Sequence, residues 1–313
     1  MSTGVTVAKP EKYIPKKKTS KKLFLYVLPG IILVFTFTYL PLWGWSYAFF
    51  QYKPGRDLLD CAFVGLDNFK DLFGNAVMRN NLFRVLKNTF GIHFLGYLFT
   101  PLPMLFAVLL SEVRSKKFQK LVQTVTTLPH FISWIIMYSL ALSIFGSTGL
   151  LKSITTSMGL DLNVNILNSS ENVWITQVLL QQWKGLGWSA IIYFAAIAGL
   201  DQELYEAAMV DGAGRWARIF HITIPQLIPT YFVLLIMSIG NFLNTGVDQY
   251  LAFGNALNKE AIEVLDLYVY NLGIGSGQIS YSVAAGMMKS LVALVLFAFA
   301  NFVSKKVRGT SVF

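Results

Sequence analysis

Six apolar stretches dominate this chain: Leu23 to Phe50, Asn88 to Leu110, Thr126 to Phe145, Val173 to Leu200, Ile228 to Phe253 and Val283 to Val303. Each is long enough to cross a bilayer as a helix, which takes about 20 predominantly apolar residues. Hydrocarbon offers peptide groups no water, so such a segment takes the helix, where each N–H finds a carbonyl in the same segment. The expected fold is all-α: a polytopic membrane protein of about six transmembrane helices. Composition agrees, since 54% of the 313 residues are hydrophobic and 13% charged, against about 25% charged in a soluble domain. The first stretch follows Lys16-Lys17-Lys18 and Lys21-Lys22. It exceeds the apolar core of a signal peptide, about 7–15 residues, and reads as a retained first span. A single cysteine, Cys61, excludes an intrachain disulfide framework.

The net charge of +10 sits mostly at the ends of the apolar runs, which favours orientation in a membrane over binding of nucleic acid. With the N-terminus inside, the inner segments carry sixteen Lys and Arg and the outer segments eight, leaving Lys184 and Lys289 within spans. Both termini are therefore expected in the cytoplasm of a bacterial-type cell, with the chain multi-pass in its plasma (inner) membrane. Residues 1–22 form a basic tail, with Pro10 and Pro15, expected to be flexible and held near anionic lipid headgroups. Residues 23–304 form the transmembrane domain, and residues 305–313 a second cytoplasmic tail.

The loop over about 201–226, between the fourth and fifth spans, has more pattern than a connection needs. It holds a helix-favouring run ending Glu206-Ala207-Ala208-Met209-Val210 and a Gly212-Ala213-Gly214 break. A second amphipathic run with Arg215 and Arg218 then leads to Ile222-Thr223-Ile224-Pro225. Helix, glycine turn and helix make a compact body suited to a groove on a soluble partner.

Glu-Ala-Ala, three residues, Gly, nine residues, Ile, one residue and Leu-Pro resembles the cytoplasmic coupling loop of permease subunits of binding-protein-dependent ABC importers. The chain matches at Glu206, Ala207, Ala208, Gly212, Ile222 and Pro225, and has Ile224 where the family usually has Leu. The context from Ile191 to Tyr205, and Gly65-Leu66-Asp67-Asn68-Phe69 before span two, are similar to the carbohydrate branch. The resemblance implies a type I importer permease. Two separate ATPase subunits would bind ATP and Mg, and this chain would carry no cofactor. A second homologous permease, an external solute-binding protein and a carbohydrate complete the implied partners. Glu206 to Arg218 would dock on an ATPase, with Glu206 holding a basic group, Ala207 and Ala208 allowing close approach, and Gly212 making the turn. Arg215 and Arg218 would meet acidic groups of that partner or lipid phosphates.

The residues themselves argue against an enzyme. No Gly-x-x-x-x-Gly-Lys-Ser/Thr occurs to cradle phosphates. Gly273 to Gly277 reads as an outside turn, and His93, His130 and His221 lack metal-ligand spacing. Polar residues within spans mark a pathway or an interior contact. Asn241, Asn244, Asp248 and Gln249 fall on one face of a helical span five, with Tyr250 near its outer end. Span four offers Gln181, Gln182, Trp183, Lys184 and Trp188, and span one offers Trp43, Trp45 and Tyr47. Aromatic faces stack on sugar C–H faces while amides pair with hydroxyls, so these residues suit a neutral polyhydroxylated solute. Interfacial anchoring of the tryptophans and helix–helix bonding of the asparagines remain open beside that reading. Pro101, Pro103 and Pro129 permit bends, and Gly185, Gly187 and Gly240 close packing or hinging. Import of a non-sugar solute is the alternative. A self-sufficient secondary transporter would show inverted repeats and paired broken helices and would leave the 201–226 loop unexplained.

Overall fold

The computed structural model describes residues 18–160 and 166–308. These residues are helical apart from turns and one isolated antiparallel bridge, Phe50 to Phe63. The expected tail over residues 1–17 lies outside the described residues, as does the last part of the second tail. The chain divides between Ser46 and Tyr47 into two compact units. In the first, helix α1 (Lys18–Val34) begins five residues ahead of the expected span and runs through Pro29 into a π turn, Phe35–Tyr39. Its apolar side chains stand exposed; Trp43 is 80% and Trp45 42% accessible.

The second unit holds the remaining helices. After α2 (Asp67–Gly74) come α3 (Ala76–Leu98) and α4 (Leu102–Ser111). Together α3 and α4 make span two, which starts twelve residues before its expected beginning and is interrupted where Pro101 and Pro103 withhold backbone donors. Helices α5 (Lys116–Thr127) and α6 (Trp134–Phe145) replace the single third span, and α7 (Leu150–Ser157) follows. The fourth span is one unbroken helix, α8 (Val173–Ala198), followed at 69° by α9 (Gln202–Val210). Next, α10 (Arg215–Arg218), a π turn at Ile219–Thr223 and α11 (Ile224–Gly240) run on as one apolar stretch. Helices α12 (Asp248–Phe253), α13 (Lys259–Ile262) and α14 (Leu265–Tyr270) are short. Helix α15 (Ile279–Arg308) is span six and extends into the expected second tail. Among the described residues, five helical stretches are long and apolar enough to cross a membrane, or six when α8 with α9 is counted.

Helix starts follow local chemistry. Asn75 accepts from the N–H groups of Val77 (2.9 Å) and Met78 (3.2 Å) to cap α3, and Ser133 accepts from Ile136 (3.4 Å) to cap α6. Such caps satisfy donors that have no partner within the helix. Between α2 and the bridge, buried Asn68 donates to the carbonyls of Ala48 (2.8 Å) and Phe50 (3.1 Å). The Asp67-Asn68-Phe69 signature thus has a structural role at its centre.

Two buried clusters stack along α8. One joins Val173, Val178 and Leu180 of α8 to Ile92, Ala141, Tyr250, Phe253 and Leu267. The other joins Ala190 and Tyr193, further along the same helix, to Met104, Ala107, Val108, Ile219 and Leu227. Between them α8 lies so close to α5 that a Cβ at Gly187 would collide with the backbone of Thr126 and Thr127. Gly185 meets nothing within 4 Å. Overpacking against backbone costs about 1–3 kcal/mol. Gly187→Ala is therefore expected to lower the thermal-aggregation midpoint of the detergent-purified protein, with Gly185→Ala indistinguishable from wild type in the same assay.

Candidate functional site: a docking loop and two interrupted spans

The 201–226 loop folds into a capped helix followed by a tight reversal. Asp201 opens α9 by accepting from Glu203 N–H at 3.0 Å. At the other end Gly212 takes φ +78°. Ala213 N–H then bonds to Ala208 O (2.8 Å) and Gly212 N–H to Met209 O (3.1 Å). Those two bonds with a left-handed glycine form a Schellman termination, which is why the motif needs Gly at 212. No residue of α9 is buried. Glu206 and Ala207 are exposed and Ala208 partly so. Apolar side chains stand outward as well: Val210 is 88% accessible, with Leu204 and Met209 about half so.

Two contacts tie this loop to the spans. The Tyr205 and Thr223 hydroxyls lie 2.9 Å apart, and Arg215 pairs with Glu112 at the end of α4 at 3.2 Å. Pro225, exposed in the first turn of α11, follows the π turn. The Arg215 charge is thus answered within the chain. Arg218 keeps a buried Nε without a hydrogen-bond partner and lines a cleft with Gln119, Tyr205 and Thr223.

The family model of the binding-protein-dependent transport system inner membrane component matches residues 100–309. The chain belongs to that family. The permease is 39% identical to the protein LplB of Bacillus subtilis (strain 168), over 96% of this chain and 94% of LplB. It is 40% identical to the polygalacturonan/rhamnogalacturonan transport system permease protein YteP of the same organism, over 95% and 92%. Its fold superposes with a TM-score of 0.82 and 35% identity on a chain of a bacterial alginate ABC transporter crystallised with an alginate pentasaccharide-bound periplasmic protein. That match covers 94% of the permease and 97% of the other chain.

The polar face expected on span five is absent as a helical face. Helix α11 ends at Gly240 and α12 begins at Asp248, with Gly246 at φ +75° in the non-helical link. Asn241 and Asn244 sit in that link, both exposed. Asn241 Nδ2 donates to Met237 O (3.1 Å), and Asn244 Nδ2 lies 3.4 Å from Asn241 Oδ1. Asp248 is exposed at the start of α12. Gln249 is buried and donates to the carbonyl and the side-chain oxygen of Gln177, both at 2.9 Å. Tyr250, 1% accessible, is packed in the α6–α8–α12 cluster. A helical face presumes unbroken winding, and the glycine link ends it.

The tryptophans separate. Trp188 stacks on His130 with centroids 4.4 Å apart and lines a cavity of about 470 Å³ with Gln182, Ser189, Tyr193, Tyr231 and Ser238. Aromatic faces, an amide and hydroxyls converge there, the Thr100 and Tyr231 hydroxyls being 3.0 Å apart. Trp183 faces a different, almost wholly apolar hollow with Leu140, Ile144 and Leu179. Trp45 belongs to the first unit. The sequence reading passed over Tyr193 and Tyr231. Their one signal was a tyrosine inside each of two apolar runs.

The termination of α9 gives a direct check. A β-branched residue in the left-handed region costs about 1–2 kcal/mol. Gly212→Val is expected to speed amide exchange in peptides covering 208–214, while Gly212→Asn, tolerated in that conformation, keeps near wild-type protection.

Proposed function

We propose that this permease is one of two transmembrane subunits of an ATP-driven importer of oligosaccharides, with α9 docked on an ATPase subunit. ATP and Mg belong to that partner, and an external solute-binding protein delivers the sugar. One observation carries the reading: a short helix, capped at both ends, presents Leu204, Met209 and Val210 outward although it sits in a loop between two long apolar stretches. Burying such side chains contributes about 1.5–3 kcal/mol each, so the surface suits a partner groove. The names of YteP and of the alginate transporter support a polysaccharide fragment as cargo, and the Trp188 cavity has the lining such a solute needs.

The geometry explains why the loop is stiff. A displacement of α9 passes into α8 across Gly199 to Asp201, into α11 through Tyr205 and Thr223, and into α4 through Arg215 and Glu112. Caps at Asp201 and Gly212 keep the short helix from unwinding under that load. The loop then lies in the cytoplasm with both termini.

Val210→Asp places a charge in the proposed contact and is expected to lose the copurifying ATPase subunits while the permease still inserts in the membrane. Undiminished copurification removes the docking role. After Cys61→Ser, cysteine at Ser115 or Arg215 is expected to resist an impermeant thiol reagent in intact cells, and cysteine at Ser153 or Ser276 to react. The opposite pattern overturns the orientation.

A further inference from the structure

Two links, 128–133 just ahead of α6 and 241–247 just after α11, leave the regular α-helix, and in each case an ionised side chain from elsewhere binds their backbone. At 128–133 the chain passes between α5 and α6 through a turn that holds Pro129. Lys184 of α8 reaches this turn and donates to the carbonyls of Pro129 (3.1 Å), His130 (2.7 Å) and Ile132 (2.6 Å). An ammonium has three protons, and all three are used. The Trp134 ring lies under the same ammonium at 5.3 Å. At 241–247 the signs reverse. Asp266 of α14 accepts from Gly246 N–H (3.0 Å) and the Thr245 hydroxyl (3.1 Å), and its other oxygen pairs closely with Lys289 of α15. A cation holds the carbonyls of one break and an anion holds an N–H of the other.

The helices that follow the two links are also in contact. The segments that follow them, α6 and α12, pack together through Trp134 and Tyr138 edge-on to Phe253, at 6.3 and 5.2 Å. Both belong to the first of the two clusters along α8, and Lys184 falls on α8 between the residues that build the first cluster and those that build the second.

We infer that Lys184 and the Asp266–Lys289 pair are positioning residues for transport. Each staples a link at the end of a span to another helix, so α6 and α12 can shift together against the second cluster while the backbone of the links keeps its partners. Neither cation is a sugar contact, because Lys184 has spent its donors and Lys289 is paired. The inference rests on the transport reading above.

The test uses the complex copurified from membranes, with uptake of labelled alginate- and galacturonan-derived oligosaccharides measured per assembled complex alongside ATP hydrolysis. Lys184→Met removes every donor. The double variant Asp266→Leu with Lys289→Met removes the acceptor without leaving a lone charge. Leaving these backbone groups without their charged partners is expected to lower uptake per hydrolysed ATP roughly tenfold or more. Amide exchange should rise in peptides covering 128–134 and 241–247 respectively. Lys184→Arg, which keeps donors, and Asp266→Asn with Lys289→Met, which keeps an acceptor, are expected to stay near wild type in both readouts. A purely structural role lowers the yield of complex and leaves the ratio per complex unchanged, which overturns the inference, as does equal behaviour of Lys184→Met and Lys184→Arg. Wild-type complex inert toward every oligosaccharide sinks the cargo assignment alone, since the exchange readout still decides the staples.

Discussion

The structure depends on one constraint: within hydrocarbon each peptide N–H and C=O must find a partner in the protein. Where a span stays helical the ladder meets it, as along the 26 residues of α8. Where a span opens, side chains take over. Lys184 serves three carbonyls at the 128–133 turn, and Asp266 serves the Gly246 amide at the 241–247 link. Burying one ion alone costs several kcal/mol. Lys184 is offset by three dipoles and a ring face, and Asp266 by Lys289. Lys184 and Asp266 thereby serve backbone groups that the helix ladder leaves over.

The same economy governs the opposite task at the 201–226 loop, where backbone is satisfied locally so that side chains stay available. Asp201 and Gly212 close the two ends of α9, so no residue of it needs burial. Exposed Val210 and Met209 are then a consequence of a helix that folds on its caps and not on burial. The two halves of the proposed machine are joined by α8, which runs from the Asn172 end past Lys184 and Trp188 to the bend before α9. A single unbroken helix therefore touches the cavity, one staple and the docking loop.

On the far side of the first cluster, the segment after α12 is fixed on α3. Asn88 Nδ2 donates to the carbonyls of Glu260 (2.7 Å) and Glu263 (2.9 Å), Thr89 accepts from Leu265 N–H (2.9 Å), and Arg84 pairs with buried Glu263 at 2.6 Å. Each such bond is worth about 0.5–1.5 kcal/mol, more where a charge takes part. This anchoring sets α14, and with it Asp266, against the link in span five.

The all-helical class, a set of five or six membrane helices and the helix-and-glycine-turn form of the 201–226 loop were legible because they rest on local patterns: apolar length, and Gly212 after Glu206-Ala207-Ala208. Trp188 was legible too as an aromatic in span four, and the structure gives it Gln182 and Tyr231 for company. The polar face of span five was not, because helical periodicity assumes winding that Gly246 interrupts, and so Tyr250 and Gln249 are buried while Asn241 and Asn244 lie in a link. What Lys184, Asp266 and Lys289 do was beyond reach of the sequence for a different reason. Lys184 bonds residues 52 to 55 positions away and Asp266 bonds residues 20 to 23 positions away. Sequence alone thus determined where helices can exist, since each peptide's partner lies four residues off. Tertiary structure decided where they stop, since the groups that replace the missing ladder come from other helices.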